Sequence, residues 1–188
     1  MVWDARELKR KLDRPVALVG MMGAGKTTVG RRLAKKLDLP FLDADAEIEK
    51  AAGRSVTEIF EEWGEEAFRT GERRVTSRLI QTSPSVIATG GGAFGDAAIR
   101  EMLLESTITV WLNADVETLH ARTLSRREHR PLLHKGDARA LLDKLALERE
   151  STYKMAHIEI KSGATSRQQV AEIIVDALAD FVKTGFAP

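Results

Sequence analysis

A phosphate-binding loop constrains the fold of this chain more than any other feature of its sequence. Residues 20–28 read G-M-M-G-A-G-K-T-T and match the pattern G-x-x-x-x-G-K-[ST]. The loop follows the apolar run 16–19 and precedes a segment, 26–37, whose apolar residues recur at helical spacing. The sequence therefore predicts a buried strand, a glycine-rich turn and a helix in that order, which is the context the motif requires.

The residue types in this loop are those that phosphate binding requires. Glycines allow successive backbone N–H groups to point inward at an anion, and the helix N-terminus adds its positive dipole end. Lys26 is placed to reach the β- and γ-phosphates, and the Thr27 hydroxyl to bind Mg²⁺. A glycine-rich turn without a ligand is the alternative. The motif favours nucleoside triphosphate binding and leaves the phosphoryl acceptor open; the loop residues involved are Gly23, Ala24, Gly25, Lys26, Thr27 and Thr28.

Length and composition limit the class of protein. A chain of 188 residues predicts a single domain, and 43% hydrophobic with 30% charged residues suits a soluble globular protein. A net charge of +1 gives no support to nucleic-acid or anionic-membrane binding. The absence of cysteine excludes disulfides and thiolate metal sites. With no signal-peptide stretch and no apolar run of about 20 residues, we expect a cytoplasmic protein without membrane association.

Apolar runs alternate with helical patterns along the chain. The runs cover residues 16–20, 41–42, 86–88, 108–112 and 158–160. Helix starts are indicated by capping boxes at Ser55 and Ser166 and by a cap at Asp96. This alternation predicts an α/β fold with a parallel sheet covered by helices on both faces. Because ligands of such sheets bind beyond the carboxyl ends of the strands, polar residues that follow each run are candidates for the site.

Two carboxylates, Asp43 and Asp45, follow the second run. One residue apart at a strand end, they are expected to point to opposite sides, one toward the metal–phosphate site and one toward a second pocket. Solvated carboxylates at a helix start, with Asp45 as the cap, are the equal alternative.

Further along, Arg69 and Glu72 share a helix face, where the carboxylate would orient the guanidinium for a fork-like contact with an anion. A surface ion pair is the alternative, and it is the better interpretation of this spacing alone. The glycine triplet 90–92 would let a ligand approach bare backbone closely, or would form a tight turn.

The segment 122–136 is rich in arginine and is predicted to be a basic lid that closes over phosphates, with a solvated basic loop as the alternative. His129 and His134 lie within it and are interpreted as surface residues. The segment 148–153 ends a helix before the last run, and its Arg149 either points into the cleft or pairs with glutamates of its own helix.

Taken in chain order, these segments resemble the shikimate kinases. The matching patterns are the phosphate loop, D-x-D at 43–45, F-R-x-x-E at 68–72, the triplet 90–92, R-P-L at 130–132 and E-R-x-x-x-Y at 148–153. The resemblance covers nearly the whole chain between Arg14 and Phe181. The phosphate loop alone is widespread, whereas the ordered set is specific.

The resemblance implies a nucleoside-monophosphate-kinase-like fold: a five-stranded parallel sheet, a substrate-binding section at about 43–76 and a lid at about 122–136. It implies a monomer that transfers the γ-phosphoryl of ATP to the 3-hydroxyl of shikimate, with Mg²⁺ as cofactor. By resemblance, Lys26, Asp45 and Arg130 are catalytic, and Asp45 is either the base or only orients the hydroxyl. The implied contacts are Asp45, Arg69, Gly90, Gly91, Gly92 and Arg149 to shikimate, Lys26 and Arg130 to phosphates, Arg122 to adenine, and Thr27 and, through water, Asp43 to the metal.

Two other functions remain open from the sequence. A gluconate kinase would share the phosphate loop but has no reason to carry Asp45, Arg69 and Arg149 together. A nucleotide-sensing module would bind ATP without an acceptor and would not need Arg130. A nucleic-acid-binding role has no support, since the charge is balanced and the chain has one Tyr and six Phe.

Overall fold

Five parallel strands form one sheet in the order β2-β3-β1-β4-β5. The computed structural model describes residues 4–124, 138–163 and 165–185. The central strand β1 pairs with β3 on one side and β4 on the other, so that Val16 lies opposite both Val86 and Ile108. The strands are β1 (Val16–Val19), β2 (Phe41–Asp43), β3 (Val86–Ala88), β4 (Ile108–Asn113) and β5 (Ile158–Lys161).

Helices cover the sheet and enclose two groups of buried apolar side chains. The larger group surrounds β1 and β4, and the smaller lies between α3, α4 and β3. None of the helices in the described ranges is long and apolar enough to cross a membrane. The helices are α1 (Ala5–Lys11), α2 (Lys26–Leu37), α3 (Ala44–Ala52), α4 (Val56–Leu79), α5 (Ala97–Ser106), α6 (Val116–Leu124), α7 (Ala138–Tyr153) and α8 (Arg167–Thr184), with a 3₁₀ turn at Ala93–Gly95.

The predicted α/β fold, with a five-stranded parallel sheet and helices on both faces, is confirmed. Capping boxes are present at Ser55 and Ser166, and the Asp96 carboxylate accepts hydrogen bonds from the first turn of α5. β1 ends one residue earlier than its apolar run because Gly20 has a φ of 137°, which breaks the extended backbone.

Two local expectations are wrong. Arg122, predicted at the start of a loop-like lid, lies in α6, where Asp115 accepts a hydrogen bond from the Thr118 amide and supports the helix start. The helix start that was one alternative after β2 is present as α3, but its N-cap is Asp43 rather than Asp45. Asp43 is the cap because its side chain accepts hydrogen bonds from the amides of Asp45 and Ala46.

Gly30 tests the packing of α2 against the sheet. A Cβ on Gly30 would lie 2.6 Å from Phe41 Cε2 and 3.2 Å from Leu18 Cδ1, so Gly30→Ala forces the β2 ring to move. We expect the free energy of unfolding to fall by about 1–2 kcal/mol, because overpacking outweighs the gain in helix propensity. Urea unfolding measures this change.

Gly71→Ala is the matched control in α4, because nothing lies within 4 Å of the added Cβ. This variant should be unchanged or more stable by up to about 1 kcal/mol. Equal losses in both variants would contradict the packing argument.

Candidate active site

A cleft of about 440 Å³ opens at the carboxyl ends of the central strands. Its walls come from the phosphate loop, the first turn of α3, one face of α4, the triplet after β3, and arginines of α6, α7 and α8. Phe60 and Phe68 supply apolar walls that the sequence motifs did not indicate. The predicted residues that line it are Gly23, Gly25, Lys26, Thr27, Thr28, Asp45, Arg69, Gly90, Gly91, Gly92, Arg122 and Arg149.

The phosphate loop is shaped by its glycines. Gly23 and Gly25 have φ values of 83° and 97°, which side-chain-bearing residues rarely adopt. A Cβ on Gly23 would also lie 2.8 Å from Thr123 Oγ1 of α6. Gly25 is the N-cap of α2 and provides no side-chain cap, so the first-turn N–H groups suit an anion. Ala24, by contrast, is buried below the cleft surface.

Lys26 lies within the curve of this loop. It is buried, and its Nζ donates hydrogen bonds to the carbonyl oxygens of Gly20 at 2.7 Å and Met21 at 3.0 Å. The loop thus holds the ammonium group next to the N-terminus of α2, where both favour negative charge.

The Asp43 side chain, at the end of β2, forms a hydrogen bond with the phosphate loop. Its Oδ2 accepts a hydrogen bond from Thr27 Oγ1 at 2.8 Å, and its Oδ1 accepts from the amides of Asp45 and Ala46. A hydroxyl and a carboxylate oxygen are ligands that Mg²⁺ prefers. The described residues contain no cluster of three or more acidic, His or Cys side chains, so this pair fits a cation that takes its other ligands from nucleotide phosphates and water.

The side chains of Asp43 and Asp45 point to different places, but strand alternation is not the reason. Asp43 ends β2 and caps α3, whereas Asp45 already lies in the first helical turn. Asp43 therefore contacts Thr27, while Asp45 lines the cleft beside Gly90. The two carboxylates therefore lie apart, but the helix start separates them and not the alternation of a strand.

Arg69 and Glu72 form a buried ion pair on α4. Arg69 Nη1 lies 2.6 Å from Glu72 Oε2, whose side chain is only 1% exposed, and Arg69 Nη2 lies 3.2 Å from Glu65 Oε1. Burial raises the pKa of the Glu72 carboxyl above its usual range, and the contact with Arg69 opposes that shift. The pair is therefore not the ordinary surface pair that spacing alone favoured, and it fixes the guanidinium at the cleft wall.

The glycine triplet makes room for these side chains. A Cβ on Gly90 would lie 2.6 Å from Glu72 Oε1 and 3.0 Å from Asp45 Oδ1. A Cβ on Gly92 would lie 3.1 Å from Arg69 Nη2. Neither glycine is among the positive-φ glycines, so space rather than backbone conformation requires a missing side chain here.

Arg149 points toward the triplet rather than only along its own helix. Its Nη1 donates to the Gly91 carbonyl at 3.0 Å, and the Tyr153 hydroxyl donates to the same oxygen at 3.0 Å. Tyr153 stacks between Phe94 and Trp111. Burial raises the pKa of Tyr153 to about 12, so the hydroxyl stays a donor at neutral pH. The sequence left the direction of Arg149 open, and this contact decides it.

Arg122 and Arg167 lie at the other end of the cleft. Arg122 Nη2 donates to the Gly163 carbonyl at 2.6 Å, and it lies 3.4 Å from the Ser162 carbonyl. Burial lowers the pKa of Arg122, and the nearby charge of Arg167 lowers it further. Sequence reasoning missed Arg167, although the capping box at Ser166 places it at the first position of α8. Arg130 and the rest of the predicted lid beyond Leu124 lie outside the described residues.

The arrangement divides the cleft by chemistry. One end holds an anion site with a buried ammonium group and a hydroxyl–carboxylate pair. The other holds two arginines and a carboxylate around a glycine platform. Such a cleft suits phosphoryl transfer from a nucleotide to an acidic, hydroxyl-bearing acceptor.

Comparison with known proteins agrees with this chemistry. A sequence model of one family, described as shikimate kinase, matches residues 22–179. The shikimate kinase of Zymomonas mobilis is 49% identical over 165 residues, covering 88% of this chain and 93% of the relative. That of Novosphingobium aromaticivorans is 50% identical over 173 residues, covering 90% of this chain and 89% of the relative.

A solved structure gives the same result. The shikimate kinase from Acinetobacter baumannii in complex with shikimate superposes with a TM-score of 0.87 at 39% identity, covering 90% of this chain and 95% of that one. The resemblance predicted from the ordered motifs is confirmed. The chain belongs to the shikimate kinase family.

Proposed function

We propose that this chain transfers the γ-phosphoryl group of ATP to the 3-hydroxyl of shikimate, giving shikimate 3-phosphate and ADP. The observation that carries the proposal is the single cleft shared by Lys26 of the phosphate loop and by Asp45, Arg69 and Arg149. Membership of the family supports the same reaction.

The acceptor half of the cleft is suited to a hydroxylated carboxylic acid. Arg69 and Arg149 each offer a planar fork of donors that matches a carboxylate. Their partners, Glu72 and the Gly91 carbonyl, hold both guanidinium groups in place. Asp45 is a suitable acceptor for hydrogen bonds from ring hydroxyls, because it lines the same wall near Gly90. We propose contacts to shikimate from Asp45, Arg69, Gly90, Gly91, Gly92 and Arg149.

The donor half of the cleft is suited to the triphosphate. We propose that the loop residues Gly23 to Thr28 hold the phosphates, with Lys26 balancing charge on the transferred group. Thr27 would ligate Mg²⁺ directly and Asp43 through water; when bound, this ion neutralises charge on the phosphate oxygens. Arg122 is proposed to contact the adenine, because it lines the cleft and is tied to the loop after β5.

In the proposed reaction, the side chains of the protein take little part in covalent chemistry. Phosphoryl transfer has a loose transition state, so positioning and charge stabilisation account for most of the acceleration. Asp45 either accepts the proton of the 3-hydroxyl or only orients it. Arg130 as a phosphate contact, and residues 122–136 as the lid, stay predictions from the resemblance.

We also propose a single kinase domain over residues 1–188, with the substrate-binding section at about 43–76, that acts as a monomer in the cytoplasm. Support comes from the length, the balanced charge and the family resemblance. The partners proposed are shikimate and ATP, without nucleic acid or membrane.

The direct test is ADP release measured by a coupled assay with ATP, Mg²⁺ and either shikimate or gluconate. We expect turnover with shikimate and none above background with gluconate. Turnover with gluconate alone would favour the sugar-acid kinase, and ATP binding without any acceptor-dependent turnover would favour a sensing module.

Removing either arginine of the acceptor half should weaken the binding of shikimate and leave the binding of ATP nearly unchanged. Arg69→Gln or Arg149→Gln is expected to raise the KM for shikimate by at least about ten-fold while the KM for ATP changes little, because each loses a charge-assisted contact. Steady-state kinetics with each substrate varied in turn measures the two KM values. Arg74→Gln is the control on the same helix, since Arg74 is exposed and does not line the cleft.

Thermal unfolding accompanies these assays because Arg69→Gln leaves Glu72 buried without its cationic partner. A shikimate KM that stays normal in both folded variants would overturn the assignment of the acceptor site.

The spacing role of the triplet predicts a further kinetic effect. In Gly90→Ala the new methyl group displaces the carboxylates of Glu72 and Asp45. Since a misplacement of about 1 Å in a catalytic group is costly, we expect kcat/KM for shikimate to fall by about ten- to hundred-fold. Gly95→Ala is the control, because nothing lies within 4 Å of its added Cβ. Equal kinetics for the two variants would contradict the spacing role.

A further inference from the structure

Arg167 lines the cleft, yet the motifs and the resemblance give it no role. It is the first residue of α8, directly after the Ser166 cap, and it is half-buried. Its Nε lies 3.9 Å from the position of a Cβ on Gly25, the residue that caps α2 in the phosphate loop. The guanidinium therefore stands beside the loop that is proposed to hold the nucleotide phosphates.

Positive charge is concentrated around Arg167. Its charge is close enough to Arg122 to disfavour the charged form of that side chain, an effect second to burial. The charge of Asp115 opposes this effect on Arg122, and the Asp115 carboxylate also accepts hydrogen bonds from Thr118. Within the described ranges, no hydrogen bond or ion pair joins the Arg167 side chain to another residue.

Two neighbouring guanidinium groups repel each other unless an anion lies near both. Arg122 is held by carbonyl oxygens of the loop after β5, which compensate its burial in part. No acceptor of this kind contacts the Arg167 guanidinium within residues 4–124, 138–163 and 165–185, although its position at the helix start restrains its backbone. A guanidinium group in this position is stabilised most when a phosphate group is bound in the loop beside it.

We propose that Arg167 is a nucleotide-binding residue whose guanidinium contacts a phosphate group of the ATP held by residues 20–28. The inference rests on the proposed function, and it adds a contact from α8 to a site otherwise built by α2 and the sheet. Arg167 and Arg122 then close the nucleotide end of the cleft from one side. The phosphate charge at Arg167 offsets the repulsion between the two guanidinium groups.

Isothermal titration of the full chain with ATP, ADP and adenosine in Mg²⁺ buffer tests the contact. We expect Arg167→Gln to raise the Kd for ATP and for ADP by at least about ten-fold and to leave adenosine binding unchanged. Arg167→Lys should restore much of the lost affinity for ATP and ADP, because the point charge of a lysine ammonium group also binds phosphate. Arg32→Gln, an exposed arginine of α2 outside the cleft, removes the same charge and should bind like the unchanged protein.

Unchanged nucleotide affinity in Arg167→Gln would overturn the proposal. So would an equal loss for adenosine and ADP with no recovery in Arg167→Lys, because that pattern indicates stacking on the base. The titrations contain no shikimate. A chain that binds ATP through Arg167 but shows no shikimate-dependent ADP release would therefore contradict the proposed function alone.

Discussion

The parallel pairing of β1 with both β3 and β4 determines where the chemistry of this protein lies. Parallel strands end at one edge of the sheet, so the loops that follow β1, β2 and β3 meet there. The phosphate loop after β1 is consequently flanked by the triplet after β3 and by the Asp43 cap after β2. Once the sheet forms, the phosphate loop, the triplet and Asp43 are adjacent, and the packing of α4 and α7 adds Arg69 and Arg149.

Close approach, rather than unusual backbone geometry, organises the acceptor half. The triplet after β3 lies so near Asp45, Glu72 and Arg69 that any side chain on Gly90 or Gly92 would press against them. The buried Glu72 then holds Arg69 at the wall, while the carbonyl of Gly91 holds Arg149. A buried ion pair of this kind contributes little net stability, but it fixes the position of a charged group. That property suits an anion site.

The nucleotide half follows a different principle. Its anion site is made by backbone N–H groups, a helix N-terminus and one buried ammonium group, all within a single short loop. Local sequence is sufficient to specify such a loop, which explains why the strand, the glycine-rich turn and α2 were predicted correctly. The arginines at its far end come from α6 and α8, more than 40 residues apart. Their proximity is a property of the folded chain.

The sequence by itself determined the elements whose causes are local. Periodicity and caps gave α2, the starts of α4, α5 and α8, and the five strands to within a residue or two. Ordered motifs also determined the family, because six short patterns in one order are unlikely to arise without shared ancestry. Local patterns were wrong in two places: they gave Asp45 instead of Asp43 as the cap of α3, and they placed Arg122 in a loop instead of in α6.

Only the tertiary structure decided which charged side chains meet. Spacing could not distinguish a surface ion pair from the buried contact of Arg69 with Glu72, since burial depends on the packing of α4 against β3. The same limit applied to Arg149, whose partner is a carbonyl 58 positions away, and to Arg167 beside Gly25. Contacts between distant parts of the chain arise from the packing of the whole fold, and their physical consequences appear only there.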